Sequence, residues 1–170
     1  MIYGIGIDVL EARRMRATFK RWGERLLERL LLPEERAQFE RTRRPERFLA
    51  MRFAAKEAVV KAMGTGFAHG MWIRDVGVVQ DAWGKPELVW SARGERLRRQ
   101  LGIGAGHVTL TDEAGLVVAV AVLLRAGRRA AGGAAPARAA RQRAGEKRAG
   151  AKRARPAATR AARRPARGRA

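Results

Sequence analysis

The first residues of the chain alternate. Tyr3, Ile5, Ile7 and Val9 fall on one side of an extended backbone and Gly4, Gly6 and Asp8 on the other. This predicts a strand with one apolar face and one nearly bare face. Two glycines on one face invite close approach by a helix or a ligand. Asp8 ends the bare face, where it either lines a site or caps the next helix. From 11 to 31 the period becomes helical: Met15, Phe19, Trp22, Leu26 and Leu30 recur every three or four residues. On this pattern Met15, Phe19 and Trp22 turn inward, and Gly23 marks a bend or a break between two shorter helices. Pro33-Glu34-Glu35 opens another helix, running to about residue 42. From 46 to 63 a broad apolar side rich in alanine predicts a closely packed helix, stopped by Gly64-Thr65-Gly66 with Gly64 as a left-handed cap. Strands follow at 73–79, 87–90, 107–111 and 116–124, with a short helix at 91–101 capped by Ser91 and a loop over 102–106. The last two strands are joined by Asp112-Glu113-Ala114-Gly115 and form a hairpin. The helices can cover one face of the apolar strand at 116–124; a second subunit is expected to cover the other.

Composition divides this mixed α/β chain in two. Its 170 residues carry 37 Lys and Arg against 16 Asp and Glu, a formal net charge of +21. The segment 126–170 has 15 basic residues, one acid (Glu146) and no large apolar side chain, while all ten aromatic residues precede position 91. A segment without apolar groups cannot offset its ordering entropy. We therefore expect a domain at 1–125 and a disordered basic tail at 126–170. With no cysteine and only His69 and His107 as histidines, disulfides, thiolate nucleophiles, Cys-ligated zinc and multi-histidine centres are excluded. The nine-residue apolar run at 116–124 is half of what a membrane span needs, and the first residues lack a leader pattern. A soluble, cytoplasmic protein is expected.

Two carboxylates stand where chemistry could use them. Asp8 ends the first strand, and Glu57 lies in a mostly apolar helix, where an acid is costly unless paired or bound to a cation. Two carboxylates with waters and substrate oxygens are what Mg²⁺ uses at phosphate-transfer sites. The alternative is a salt bridge from Glu57 to Lys61, four residues on, or to an arginine. Lys56 and Lys61 are candidates for phosphate contact, and the backbone of 64–66 for an anion cradle. No P-loop or dinucleotide fingerprint is present. Basic clusters at 13–21 and 41–52 suit nucleic acid, an acidic protein or a multiply phosphorylated small molecule. A non-catalytic nucleic-acid binder is the second reading, although such a protein gains nothing from carboxylates on its phosphate-binding surface.

Three blocks give a resemblance. Gly4-Ile5-Gly6-Ile7-Asp8, the run from Arg52 through Lys56-Glu57 and Lys61 to Gly66, and His107-Val108-Thr109-Leu110-Thr111-Asp112-Glu113 resemble the holo-[acyl-carrier-protein] synthase family, with Gly84-Lys85-Pro86 as a smaller fourth. The resemblance covers 1–125. It implies an α+β fold of the 4'-phosphopantetheinyl transferase type, a mostly antiparallel sheet packed against helices, assembled as a trimer with active sites between subunits. It also implies Mg²⁺-dependent transfer of phosphopantetheine from coenzyme A to a serine of acyl carrier protein, releasing adenosine 3',5'-bisphosphate. By that resemblance Asp8 and Glu57 hold the metal, and Lys61 and Glu57 are catalytic. Arg44, Arg47, Arg52, Lys61, Gly64, His107 and Thr109 contact coenzyme A, while Arg13, Arg14, Arg16 and Lys20 receive the acidic carrier. Many relatives have Ser-His where this chain has Thr111-Asp112. The general base is left open between Glu57 and Asp8, either acting through a water. The tail has the charge to touch nucleic acid or other acidic surfaces.

Overall fold

The computed structural model describes residues 1–67 and 70–127. The expected tail, apart from Ala126 and Gly127, and His69 lie outside the described residues. The elements are β1 (Ile2–Glu11), α1 (Ala12–Trp22), α2 (Glu24–Leu30), α3 (Pro33–Phe39), α4 (Pro45–Met63), β2 (Val76–Gln80), β3 (Pro86–Trp90), α5 (Ala92–Gln100), β4 (Ile103–Glu113) and β5 (Leu116–Arg125). Strands β1, β5 and β4 form an antiparallel sheet in that order, and β2 and β3 pair as a separate hairpin. This is the expected α+β arrangement.

Most element positions follow the pattern of the sequence. Gly64 ends α4 at φ 74°, and the Ser91 hydroxyl accepts from the Gly94 N–H at the start of α5. Others shift. Helix α3 ends at Phe39, short of residue 42. Strand β4 begins at Ile103 because the expected loop pairs with β5 through an irregularity between Ile103 and Gly106. Trp22 is half exposed rather than inward, since Gly23 (φ 47°) redirects the chain before the stripe can continue.

Helix α4 is the centre of the molecule. Leu49, Ala50, Ala54, Ala55, Ala58, Val59 and Val60 are fully buried. One side of the helix lies on the sheet face formed by Val117, Ala119, Ala121 and Leu123. The bare face of β1 is what lets it settle there: a Cβ on Gly4 would lie 2.0 Å from the Ala62 carbonyl oxygen, and one on Gly6 2.0 Å from that of Ala58. The apolar face of β1 consequently points outward. Ile5, Ile7 and Val9 are 56–62% exposed and sit opposite Val122, Val120 and Val118 of β5. On the same side, β4 contributes His107, Thr109 and Thr111 opposite the same three valines. A contiguous apolar surface of this kind marks an interaction site.

Candidate active site

Asp8 is the next residue after Gly4 and Gly6 on the β1 face against α4, and it lies just past the close crossing. Its Oδ1 is 2.8 Å from the Lys61 Nζ, which also donates to the Ile7 carbonyl at 3.1 Å. Asp8 does not cap α1, whose N-cap position is Glu11 without a side-chain cap. Glu57, one helical turn before Lys61, is half-buried and has no ion pair among the described residues. Burial pushes its carboxyl above the usual range, the Asp8 charge adds to the rise, and Lys61 opposes it. The choice between a Glu57–Lys61 bridge and an open carboxylate therefore falls to the second: Lys61 is committed to Asp8. A carboxylate whose proton affinity is raised by burial and by a neighbouring acid forms a site in which a cation relieves repulsion. Among the described residues no third His, Cys, Asp or Glu joins them. A divalent ion here would take its remaining ligands from water and substrate oxygens, as Mg²⁺ does.

Lys56 is not part of this site. Its side chain is fully buried, with Nζ 2.7 Å from Glu35 Oε2, 2.6 Å from the Leu30 carbonyl and 3.2 Å from that of Ile73. Glu35 in turn accepts from the N–H groups of Leu32 and Val78, each at 2.9 Å. Burial pushes the Lys56 ammonium down, against the pull of Glu35. The expected contact of Lys56 with phosphate is thus replaced by a structural tie between α2, α3, α4 and β2. Arg52 is also inside. It stacks on Phe48 at 4.1 Å and donates to Gln38 at 3.1 Å, and burial lowers its pKa to about 10. It is not brought together with Arg44 and Arg47. The loop at 64–66 offers no anion cradle either, because the N–H groups of Gly64, Thr65 and Gly66 bond back to Lys61 and Val60 carbonyls.

Arg44 and Arg47 border a second region, a cavity of about 580 Å³ between the start of α4 and the β4–β5 turn, shared with Arg16, Arg43, Asp112 and Glu113. Arg47 grips both oxygens of Asp112, with Nε 2.6 Å from Oδ2. His107 and Thr109 are exposed on the outer sheet face, on the opposite side of the sheet from Asp8.

On α1, Arg13 is tied to Glu11 at 2.7 Å and Arg16 to Glu46 at 2.9 Å, whereas Arg14 and Lys20 have no ion pair among the described residues. The expected stripe of Arg13, Arg16 and Lys20 is therefore partly neutralised. Arg14 instead rims an apolar hollow with Met15, Leu26 and Phe53. A neighbouring hollow of about 330 Å³ is bordered by Trp22, Arg25 and Arg29. Arg25 and Arg29 were not selected from sequence, although their spacing of four places them on one side of α2.

Comparison with known proteins gives a consistent result. Residues 4–121 match the family model described as the 4'-phosphopantetheinyl transferase superfamily. The chain is 44% identical over 123 residues to a holo-[acyl-carrier-protein] synthase of Thiobacillus denitrificans, covering 72% of this chain and 94% of that one. Its fold is similar to the crystal structure of a holo-[acyl-carrier-protein] synthase from Neisseria meningitidis, with a TM-score of 0.70, 37% identity, and coverage of 74% of this chain and all of that one. A synthase from Bacillus anthracis, solved in complex with CoA (3',5'-ADP), matches at a TM-score of 0.60 and 34% identity over 72% of this chain and 96% of that one.

Proposed function

The chain belongs to the 4'-phosphopantetheinyl transferase superfamily, in its holo-[acyl-carrier-protein] synthase branch, and from that premise we propose that the open Asp8–Glu57 pair is the metal end of its active site. The reaction is transfer of phosphopantetheine from coenzyme A to apo acyl carrier protein. The carrier serine gives up its hydroxyl proton to water as its oxygen bonds to the phosphorus bearing the pantetheine. The bond from that phosphorus to the bridging oxygen breaks, and adenosine 3',5'-bisphosphate leaves with the electron pair. The observation that carries the site reading is Glu57, half-buried beside Asp8 and without an ion pair among the described residues.

In this reading Asp8 and Glu57 hold Mg²⁺. When bound, the ion supplies charge neutralisation at the diphosphate, so that an oxygen nucleophile can approach. Lys61, with its ammonium at the same edge, steadies charge growing on the leaving phosphate. Arg44 and Arg47 line a pocket suited to the phosphates of the nucleotide half, and Gly64, with open space where a Cβ would stand, leaves room for coenzyme A at the end of α4. His107 and Thr109 complete the nucleotide side, but they lie on the opposite sheet face from Asp8. One chain cannot bring both sets to one ligand, and this supports a homotrimer in which β4 of one subunit faces the carboxylate pair of the next. The row of Ile5, Ile7, Val9, Val118, Val120 and Val122 is the surface that such an assembly would cover. The hollows rimmed by Arg14, Arg25 and Arg29 suit an acidic carrier with an apolar patch, assisted by Lys20.

No helix of the described residues is long and apolar enough to cross a membrane; action in the cytoplasm is part of the proposal. So is the boundary near 125, with the basic extension as an appendage outside the transferase domain and able to meet acidic surfaces such as nucleic acid.

The test incubates the full chain with coenzyme A, Mg²⁺ and apo carrier, and reads the mass gain on the carrier serine. Complementation tests the shared site. Chains carrying Glu57→Gln and chains carrying His107→Ala should each be poorly active alone and should regain activity when mixed. A monomer with full activity, or mixtures that never recover, would remove the shared site.

A further inference from the structure

The cavity at the start of α4 has an internal occupant. Of the four arginines around it, Arg16 is paired to Glu46, and Arg43 and Arg44 have no ion pair among the described residues. Arg47 is held by Asp112 from 65 positions away. The grip is bidentate and uses the Nε–Nη2 edge of the guanidinium, an edge that phosphate oxygens also favour. The Asp112 carboxyl is held below the usual range first by its hydrogen bonds to Arg47, with further help from the charges of Arg47 and Arg44. A carboxylate thus stands where two arginines call for an anion. Both side chains remain partly exposed, at 44% for Arg47 and 31% for Asp112, so solvent and ligand can reach the pair. Glu113 lines the same cavity without an ion pair among the described residues.

We propose that Asp112 is a built-in competitor for phosphate: it occupies the fork of Arg47 while the cavity is empty and yields it when a phosphorylated ligand enters. The inference rests on reading this cavity as the site for coenzyme A phosphates. Asp112 then sets how firmly the protein holds coenzyme A and its product, adenosine 3',5'-bisphosphate. It does so by charging every binding event with the rupture of one ion pair. A pair of this exposure is worth a small factor rather than a large one.

The experiment is calorimetric titration of the full chain with adenosine 3',5'-bisphosphate at low salt, with urea midpoints confirming that each variant is folded. Asp112→Asn should tighten binding about three- to tenfold. Arg47→Ala should weaken it, and in that background Asp112→Asn should no longer matter, the coupling expected of groups in contact. Glu113→Gln, which removes the same charge from the same cavity, should change binding less than about twofold. Unchanged or weaker binding by Asp112→Asn would overturn the proposal and make Asp112 a support for Arg47. An equal gain from Glu113→Gln would replace competition by the general field. If neither Arg44→Ala nor Arg47→Ala affects binding while transfer activity persists, the phosphate reading of the cavity falls and takes the competitor with it.

Discussion

Lys56 and Glu57 are neighbours in the chain and point about 100° apart on α4, into opposite kinds of environment. On one side Lys56 is fully buried, its ammonium surrounded by Glu35 and two carbonyls, and Glu35 serves two backbone N–H groups besides. On the other side Glu57 is half-buried without an ion pair among the described residues, and Lys61 is given to Asp8. The difference separates two uses of charge within an apolar helix. A closed, mutually satisfied pair fixes where elements meet. An open carboxylate beside a second acid is poorly satisfied by the protein alone and better satisfied by a cation. Burial by itself does not tell them apart; the balance of partners does.

The widest gap between the two sides should appear with Lys56→Met. It leaves the Glu35 carboxylate uncompensated in the core, at a cost of about 3–5 kcal/mol. Urea unfolding should show a large fall in midpoint at unchanged slope, while any protein still folded keeps its transfer activity per molecule. A stable variant with lost activity would reverse the assignment of the two sides.

Glu57→Gln and Asp8→Asn should do the opposite. Losing a group that merely supports a metal ligand costs about 10–100-fold, and removing a ligand should exceed that in turnover. The urea midpoint of Glu57→Gln should stay level or rise, because repulsion from Asp8 is gone. A midpoint that drops as far as for Lys56→Met would make Glu57 a structural residue.

The smallest effect is in pH dependence, and it sharpens the comparison by sign. Glu57 has a raised carboxyl, so its contribution is fully present below the unfolded value, about 4.3, and is lost as pH rises through the higher folded value. Asp112 has a lowered carboxyl, so its contribution is present above about 3.9 and fades as pH falls through the lower folded value. The stability difference between the native chain and Glu57→Gln should therefore open as pH rises. That for Asp112→Asn should close as pH falls. Each stays below about 1 kcal/mol, since both groups are substantially solvated. Parallel slopes would show that the two carboxylates do not differ as described.

Much of this was legible from residue order. The alanine-rich pattern and Gly64 locate α4, alternation locates β1, and the positions of Asp8, Glu57 and Lys61 follow from both. What pattern could not supply was the side on which each element is covered. The glycines of β1 invite a helix or a ligand alike; that α4 takes their side and leaves Ile5, Ile7 and Val9 outward emerges only in the fold. Trp22 continued a helical stripe, but the positive φ of Gly23 ended it. Lys56 and Arg52 carry charge and are expected at phosphates, yet both are buried. Nothing local announces that Glu35 and Gln38, from another helix, reach them inside the core. The grip of Asp112 on Arg47 spans 65 residues, a separation at which no periodicity speaks. Arg25 and Arg29 lie beyond the one-signed basic run of α1, interspersed with Glu24 and Glu28, so charge pattern alone does not single them out.

The Glu35–Lys56 tie also constrains the history open to this sequence. Exchanging either partner alone strands a charge in the core, and exchanging both still leaves the N–H groups of Leu32 and Val78 without their acceptor. Every short mutational path away from the pair descends before it climbs. Lineages that drift at Trp83, open to solvent, would be held here by a fitness valley whose depth is set by one buried ammonium.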